Sequence, residues 1–421
     1  MDHKLREITL SDDSCNSATV DRCDQIGEEI MFKEFTALAF KINEYCNLDC
    51  KYCFQKHDVK TRHSGFTDFR ELVSFLSKLP ISADGFEIKV TGGESSLFCD
   101  DIRKAYKEIK KLERFVDTKV YFTTISNGTN IAGLIDLMDD GILDPYGCKI
   151  SWDGIHSASR SRIPKNPKYT DNYFNEIIYS LGASKYGKDV LVRIALTEDT
   201  VDDLFSSVKF AILCGCKKIE YYYLSDCDYY NDSHFQTRYM IQMAKICNLL
   251  KAHPDVNLAN FETMYFTSTL KEKDRFRSIS CRHLGRMLYI ENDGKIAPCG
   301  YFSHDGIYSN CEFYVGDIYN GFYKDKIKEF IDIYKQPATC NKYCANYHCF
   351  ECPAVTLYRR KNMADKLMQA CEMRDLERLL FKNFSKGKQS SKEEKAKRAY
   401  TYVKEWKEYN FDIPTNLPYK E

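Results

Sequence analysis

The segment Cys46-Asn-Leu-Asp-Cys50-Lys-Tyr-Cys53 sets three thiols within eight positions, spaced C-x3-C-x2-C, after an apolar run from Phe35 to Ile42. Three ligands are one short of a closed tetrahedral zinc site or a fully ligated iron–sulfur cluster. They suit a [4Fe–4S] cube whose last iron stays open to a substrate or cofactor. Tyr52, directly before the last cysteine, can cover a face of a cofactor bound there. A zinc knuckle is the bland alternative.

Composition narrows the setting. The chain has 421 residues, enough for two or three domains. Its 61 Lys plus Arg equal its 61 Asp plus Glu, so no net field draws it to nucleic acid or an anionic membrane. No apolar run is long enough to span a bilayer, and Met1-Asp-His-Lys lacks a signal-peptide pattern. A cytoplasmic location is therefore expected. Nineteen cysteines in a reducing compartment argue for metal or redox chemistry rather than disulfides. Cys99, Cys148, Cys214, Cys216, Cys227 and Cys247 lie in or beside predicted elements, where buried thiols are the default.

From Phe35 onward strand-like and helix-like runs alternate. Expected strands are 37–43, 85–91, 119–126, 148–151, 190–197 and 218–224; amphipathic segments lie near 68–79, 100–114, 131–139, 171–181 and 201–213. Repeated β-then-α units call for a parallel sheet with right-handed crossovers. Six such units give an α/β fold, a partial (β/α)6 TIM-like barrel, with chemistry at the C-terminal strand ends.

The strand ends carry the right material. The cysteine loop follows the first strand, Thr91-Gly-Gly-Glu94 the second, Ser126-Asn-Gly-Thr-Asn130 the third and Ser151-Trp-Asp-Gly154 the fourth. Gly92 and Gly93 allow close backbone approach, and Glu94 can accept from a cationic amine. Ser126 and Asn127 offer short polar groups for ribose hydroxyls or a carboxylate. Asp153 supplies an acid, and Arg160 and Arg162 two carboxylate clamps. Singly each is an ordinary turn or loop. Their serial order is what points to one site.

In that order the stretch 37–224 resembles the radical S-adenosylmethionine (SAM) enzymes. The resemblance implies that Cys46, Cys50 and Cys53 hold a [4Fe–4S] cluster that binds the amine and carboxylate of SAM. By the same likeness Gly92, Gly93 and Glu94 match the family's GGE motif around the amino group. Ser126 and Asn127 match its polar third-strand position, Asp153 its S-x-D-G segment, and Arg160 or Arg162 its later basic residue. Ser95 stands where many members have proline, and the stretch after Gly154 is shorter than usual.

A second cysteine set follows a predicted helix over 235–252 and a connector over 257–274: Cys281, Cys299, Cys340, Cys344, Cys349, Cys352 and Cys371. Asn292-Asp-Gly294 reads as a hairpin turn that would bring Cys281 and Cys299 together. Four thiols between Cys340 and Cys352 indicate metal. The set resembles the SPASM extension of radical SAM enzymes that modify peptides and proteins, although its inner spacing is C-x3-C-x4-C-x2-C. The resemblance assigns Cys281, Cys299 and Cys352 to a first auxiliary cluster, with substrate, His283 or Cys311 for its fourth ligand. It assigns Cys340, Cys344, Cys349 and Cys371 to a second. The division expected is an N-terminal extension over 1–34, the partial barrel over 35–234, a connector over 235–280, the SPASM domain over 281–380 and a charged tail over 381–421.

What the resemblance implies is an enzyme with three [4Fe–4S] clusters that cleaves SAM reductively to a 5′-deoxyadenosyl radical and takes hydrogen from a peptide or protein substrate. Crosslinking or side-chain oxidation of a ribosomally made peptide would result. It implies an external electron donor of flavodoxin or ferredoxin type. Because 1–45 is short for a fused leader-binding module, a separate peptide-recognition protein or direct binding is expected. Sulfatase-maturase-like activity is an alternative, weakened by Gly300, which stands where those enzymes place an acid. A small-molecule dehydrogenase is another, and outside the class a structural zinc protein. No residue stands out as a general base.

Overall fold

The computed structural model describes residues 32, 34–53, 55, 65–66, 68–82, 85–113, 115, 119–224, 227–260, 285–303, 313–334, 373, 376–377 and 380. The barrel portion contains β1 (Ala37–Asn43), β2 (Leu48–Cys50), β3 (Phe86–Gly92), β4 (Val120–Ser126), β5 (Lys149–Ser151), β6 (Arg162–Pro164), β7 (Leu191–Leu196) and β8 (Lys218–Tyr223). Its helices are α1 (Phe69–Lys78), α2 (Cys99–Ile109), α3 (Ile131–Asp139), α4 (Ser157–Arg160), α5 (Asp171–Ala183) and α6 (Leu204–Cys214). Then come α7 (Ser233–Ala252), β9 (Asn257–Leu258), β10 (Met287–Ile290), β11 (Lys295–Ala297), β12 (Gly316–Asp317), β13 (Gly321–Phe322) and α8 (Lys324–Tyr334).

All seven residues of β1 are buried, as suits a strand covered on both faces. It sits inside an eleven-stranded sheet ordered β13-β12-β11-β10-β1-β3-β4-β5-β7-β8-β9. From β10 to β9 every neighbouring pair is parallel, and β10 to β13 form an antiparallel meander. The parallel pairs need helical crossovers, and the sequence supplies them with caps. Asp68 accepts from Glu71 N at the start of α1, Asn130 from Gly133 N at α3, and Thr170 from Tyr173 N at α5.

Period-two alternation separates the two faces of the sheet. Phe86, Ile88 and Val90 of β3 are buried, and Phe122 of β4 meets Tyr106 of α2 edge-on with centroids 5.2 Å apart. The opposite face is polar. There Thr123 donates to Glu87, Lys89 pairs with Glu87 at 3.4 Å, and Arg193 pairs with Glu220 at 2.7 Å while lying over the Tyr222 ring. A sheet face lined this way is built for polar contacts rather than for apolar packing.

The six expected strands and the helices between them are present within five residues of their expected ends. The β2–β6 ribbon, the strands β12 and β13, and two further features go beyond the expectation. The connector begins with β9, a parallel strand on β8. The hairpin turn expected at Asn292–Gly294 is there, with Tyr289 paired to Ala297 and Ile290 to Ile296. Its first strand, β10, joins the sheet beside β1, with Phe40 in register with Ile290. Of the C-terminal cysteines only Cys299 is among the described residues; Cys281, Cys340, Cys344, Cys349, Cys352 and Cys371, with His283 and Cys311, lie outside them, as do the tail 381–421 and nearly all of 1–34.

Candidate cofactor site at the strand ends

β1 ends directly before the cysteine loop, so the three thiols project from the C-terminal end of the sheet. Cys46 is buried, and Cys50 and Cys53 are half-buried. A turn with Cys53 N donating to Cys50 O, at 3.1 Å, keeps the last two close. The loop is pinned from outside by the antiparallel ribbon β2–β6, in which Cys50 is opposite Arg162. Burial pushes the Cys46 thiol up to about 12, and Glu94, then Cys50 and Cys53, add to the rise. A ligand that needs the thiolate would therefore have to displace a firmly held proton.

Gly92 and Gly93 are required by the chain itself. A Cβ on Gly92 would lie 2.3 Å from Asn43 O, and one on Gly93 2.1 Å from Tyr45 O. Gly92 also has φ +142°, which side-chain-bearing residues avoid. The close approach the sequence assigns to a ligand is thus made by the backbone entering the cysteine loop. Gly93 N donates to Asn43 O and Glu94 N to Tyr45 O, at 3.1 and 2.8 Å.

These bonds aim Glu94 under the loop. Its Oε1 accepts from Ser96 N at 2.9 Å and from Ser126 Oγ at 2.5 Å; its Oε2 accepts from Asn127 N at 2.6 Å. A carboxylate has about four acceptor positions, so these three bonds leave one on Oε2 for a cationic donor. Ser95, at the proline position, turns away to Thr124 Oγ1 at 2.6 Å. The Asn127 side chain donates to Asn47 Oδ1 at 2.8 Å and accepts from Thr129 N and Oγ1. Asn47 donates in turn to Thr129 Oγ1 at 2.9 Å. Asn47 was not singled out from the sequence, although its place between two loop cysteines was a usable signal.

The other wall gathers Tyr52, Asp153 and Arg162. Asp153 holds φ +67°, rare for a residue with a side chain, and its Oδ1 accepts from Ala195 N at 2.9 Å. Its Oδ2 accepts from the Tyr52 phenol and lies 3.9 Å from Arg162 Nε. Burial, and then the Asp153 carboxylate, push the Tyr52 phenol well above its ordinary value. Burial works against the Arg162 charge, but Tyr52 and Asp153 outweigh it and hold the guanidinium protonated. Arg162 is 3% exposed, donates to Ser151 O, and keeps a buried Nε with no hydrogen-bond partner among the described residues. Arg160, with a side chain 41% exposed, points elsewhere, to Asp203 at 2.5 Å and Asp199 O at 3.0 Å. Of the two arginines, the structure brings only Arg162 to the constellation.

Lys41 was also passed over. A lysine inside the run Ala-Leu-Ala-Phe-Lys-Ile is the signal that could have found it. It is fully buried, and its Nζ donates to Glu44 Oε1 and Glu291 Oε2, both at 3.1 Å.

Three thiols on one loop, an acceptor position on Glu94 and a buried Arg162 Nε without a hydrogen-bond partner among the described residues fit an iron–sulfur cluster with an amino-acid-bearing ligand beside it. Among the described residues no three Cys, His, Asp or Glu side chains are already gathered to hold a metal ion. The fold and these strand-end groups define a class: a mixed α/β domain with a parallel sheet core and its polar groups gathered at the strand ends.

Residues 40–151 match the Radical SAM superfamily, so that stretch of the chain is a radical SAM domain. No curated protein sequence matches the chain. Among solved structures, the chain is similar to polyhistidine-tagged anSMEcpe with bound AdoMet, at 18% identity and a TM-score of 0.64 over 87% of this chain and 95% of that one. Native anSMEcpe with bound AdoMet and Cp18Cys peptide gives 18% and 0.63, over 88% and 99%. SuiB of Streptococcus suis bound to precursor peptide SuiA gives 13% and 0.51, over 88% and 84%. At such identities the likeness is one of fold. No helix among the described residues is long and apolar enough to cross a membrane.

Proposed function

We propose that this chain is a radical SAM enzyme of the SPASM type that modifies a peptide or protein. The observation that carries the reading is the joint seat of the cysteine loop on Glu94, Ser126, Asn127 and Asp153, at the ends of four parallel strands. Cys46, Cys50 and Cys53 would hold the SAM-binding [4Fe–4S] cluster, which supplies an electron to the SAM sulfonium and so yields a hydrogen-abstracting radical. Glu94 Oε2 would take the amino group. Arg162 Nε would take the carboxylate, with Asp153 fixing both Tyr52 and Arg162 in place. Ser126 and Asn127 hold Glu94 rigid through the two bonds they donate to it.

A peptide substrate is supported by the fold shared with proteins whose structures hold bound peptides. The C-terminal cysteines Cys281, Cys299, Cys340, Cys344, Cys349, Cys352 and Cys371 would carry two auxiliary clusters, bringing the complement to three. An external flavodoxin- or ferredoxin-type donor in the cytoplasm would feed them, and a separate recognition protein could present the peptide. A sulfatase-maturase-like activity fits less well. A Cβ at Gly300 would come within 3.2 Å of the Tyr289 ring, so an acid there would press on β10.

The test is iron and zinc per chain after anaerobic reconstitution, together with release of 5′-deoxyadenosine from SAM under reduction. About 12 irons, and loss of 5′-deoxyadenosine in the Cys46→Ala, Cys50→Ala, Cys53→Ala variant, are expected. Zinc in place of iron, or undiminished cleavage by that variant, would sink the assignment.

A further inference from the structure

Lys41 is the one fully buried lysine among the described residues. Two carboxylate partners among the described residues come from different parts of the chain. Glu44 lies two residues ahead of Cys46, and Glu291 follows β10 in the hairpin that leads to Cys299. Parallel pairing of Phe40 with Ile290 carries the register one step on, to Lys41 beside Glu291. Tyr314 donates to the other Glu291 oxygen at 3.3 Å. Buried charges are costly even when paired, and apolar side chains of similar volume commonly pack as well or better. A charge kept here therefore invites a reason beyond packing. Burial also extends its reach, because solvent screening is weak between buried groups.

We propose that Lys41 and Glu291 act as an opposed electrostatic pair that sets the reduction potential of the cluster borne by the Cys46–Cys53 loop. The inference rests on the cluster reading given above. Reduction adds one negative charge to the cluster. The Lys41 ammonium favours that electron and the Glu291 carboxylate opposes it, so the pair fixes the potential between two limits. Neither residue touches the reacting atoms; both act through the field at the loop.

The test is a redox titration of the reconstituted enzyme, following by electron paramagnetic resonance the cluster whose signal changes when SAM is added. Lys41→Met is expected to move its potential to more negative values and Glu291→Gln to more positive ones. Lys41→Arg should leave it near the wild-type value, with iron per chain unchanged throughout. Both single variants break the same contact, so a role confined to packing would move them the same way or leave both unmoved. Either result overturns the proposal. Should Lys41→Met fail to fold, Glu291→Gln alone decides, and no positive shift refutes it. If the wild-type enzyme has no SAM-responsive signal, the cluster reading beneath it falls instead.

Discussion

Tyr221 donates to Glu377 Oε1 at 2.5 Å across 156 residues of sequence, and Tyr239 donates to the same oxygen at 2.8 Å. The carboxylate thus fastens a late segment of the chain between β8 and α7. Burial, and next the Glu377 charge, push both phenols well above their ordinary values. The two hydroxyls are also 2.8 Å apart, so Glu377→Ala should leave one buried phenol short of an acceptor and cost about 1–3 kcal/mol. Chemical denaturation would read this as a lower midpoint. Glu377→Gln, which keeps an acceptor oxygen, should lose less.

The two arginines near Asp153 differ in setting, and their variants should differ too. Arg162→Ala removes the buried guanidinium beside Asp153, and SAM affinity by equilibrium dialysis should fall at least about tenfold. Arg160→Ala removes an exposed pair with Asp203. Such surface pairs contribute about 0–1 kcal/mol, so binding should stay within a few-fold of wild type. Equal losses would contradict the placement of Arg162 alone in the site.

Gly93→Ala would force a methyl group against the carbonyl of Tyr45, where nothing flexible can yield. Strand β3 and the entry to the cysteine loop cannot then keep their two hydrogen bonds. The expected outcome is loss of SAM binding and of cluster iron in whatever protein folds. Normal iron and affinity would show that the loop is seated by something other than this crossing.

Cys148 and Cys216 are buried thiols, each pushed up to about 12 by desolvation first. An acid whose folded pKa is raised holds its proton in the native state while the unfolded chain has already lost it. Between the ordinary 9.0 and about 12, stability therefore falls as pH rises, by up to about 1.4 kcal/mol per unit for each thiol. At neutral pH the term vanishes. Cys148→Ala with Cys216→Ala should flatten this alkaline limb in melts run from pH 8 to 11, whatever the packing cost at pH 7.

Much of the barrel was legible because its strands are apolar runs closed by turn residues, and its helices carry their own caps. Asp68, Asn130 and Thr170 announce where α1, α3 and α5 begin. The positions of Gly92, Glu94, Ser126 and Asp153 at strand ends followed from the same pattern. What was not legible depends on pairing across distance. β9 is two residues long, too short for any period. That β10 lies parallel to β1 is set by side chains 250 residues apart, such as Lys41 and Glu291. Nor could the sequence choose between Arg160 and Arg162, which are two residues apart; the β2–β6 ribbon makes that choice by seating Arg162 opposite Cys50.

The pairing of β10 with β1 has a bearing on how the chain is made. While the ribosome is still adding residues up to about position 286, Ala37–Asn43 can find β3 on one side only. Its other side is then an open run of backbone donors and acceptors on an apolar strand, the kind of edge that recruits strands from other chains. A strand made about 250 residues before its partner β10 is thus left open on one side until late. Expression of the barrel portion cut before β10 should give aggregated material, and conditions that slow synthesis should demand more chaperone assistance for the whole chain.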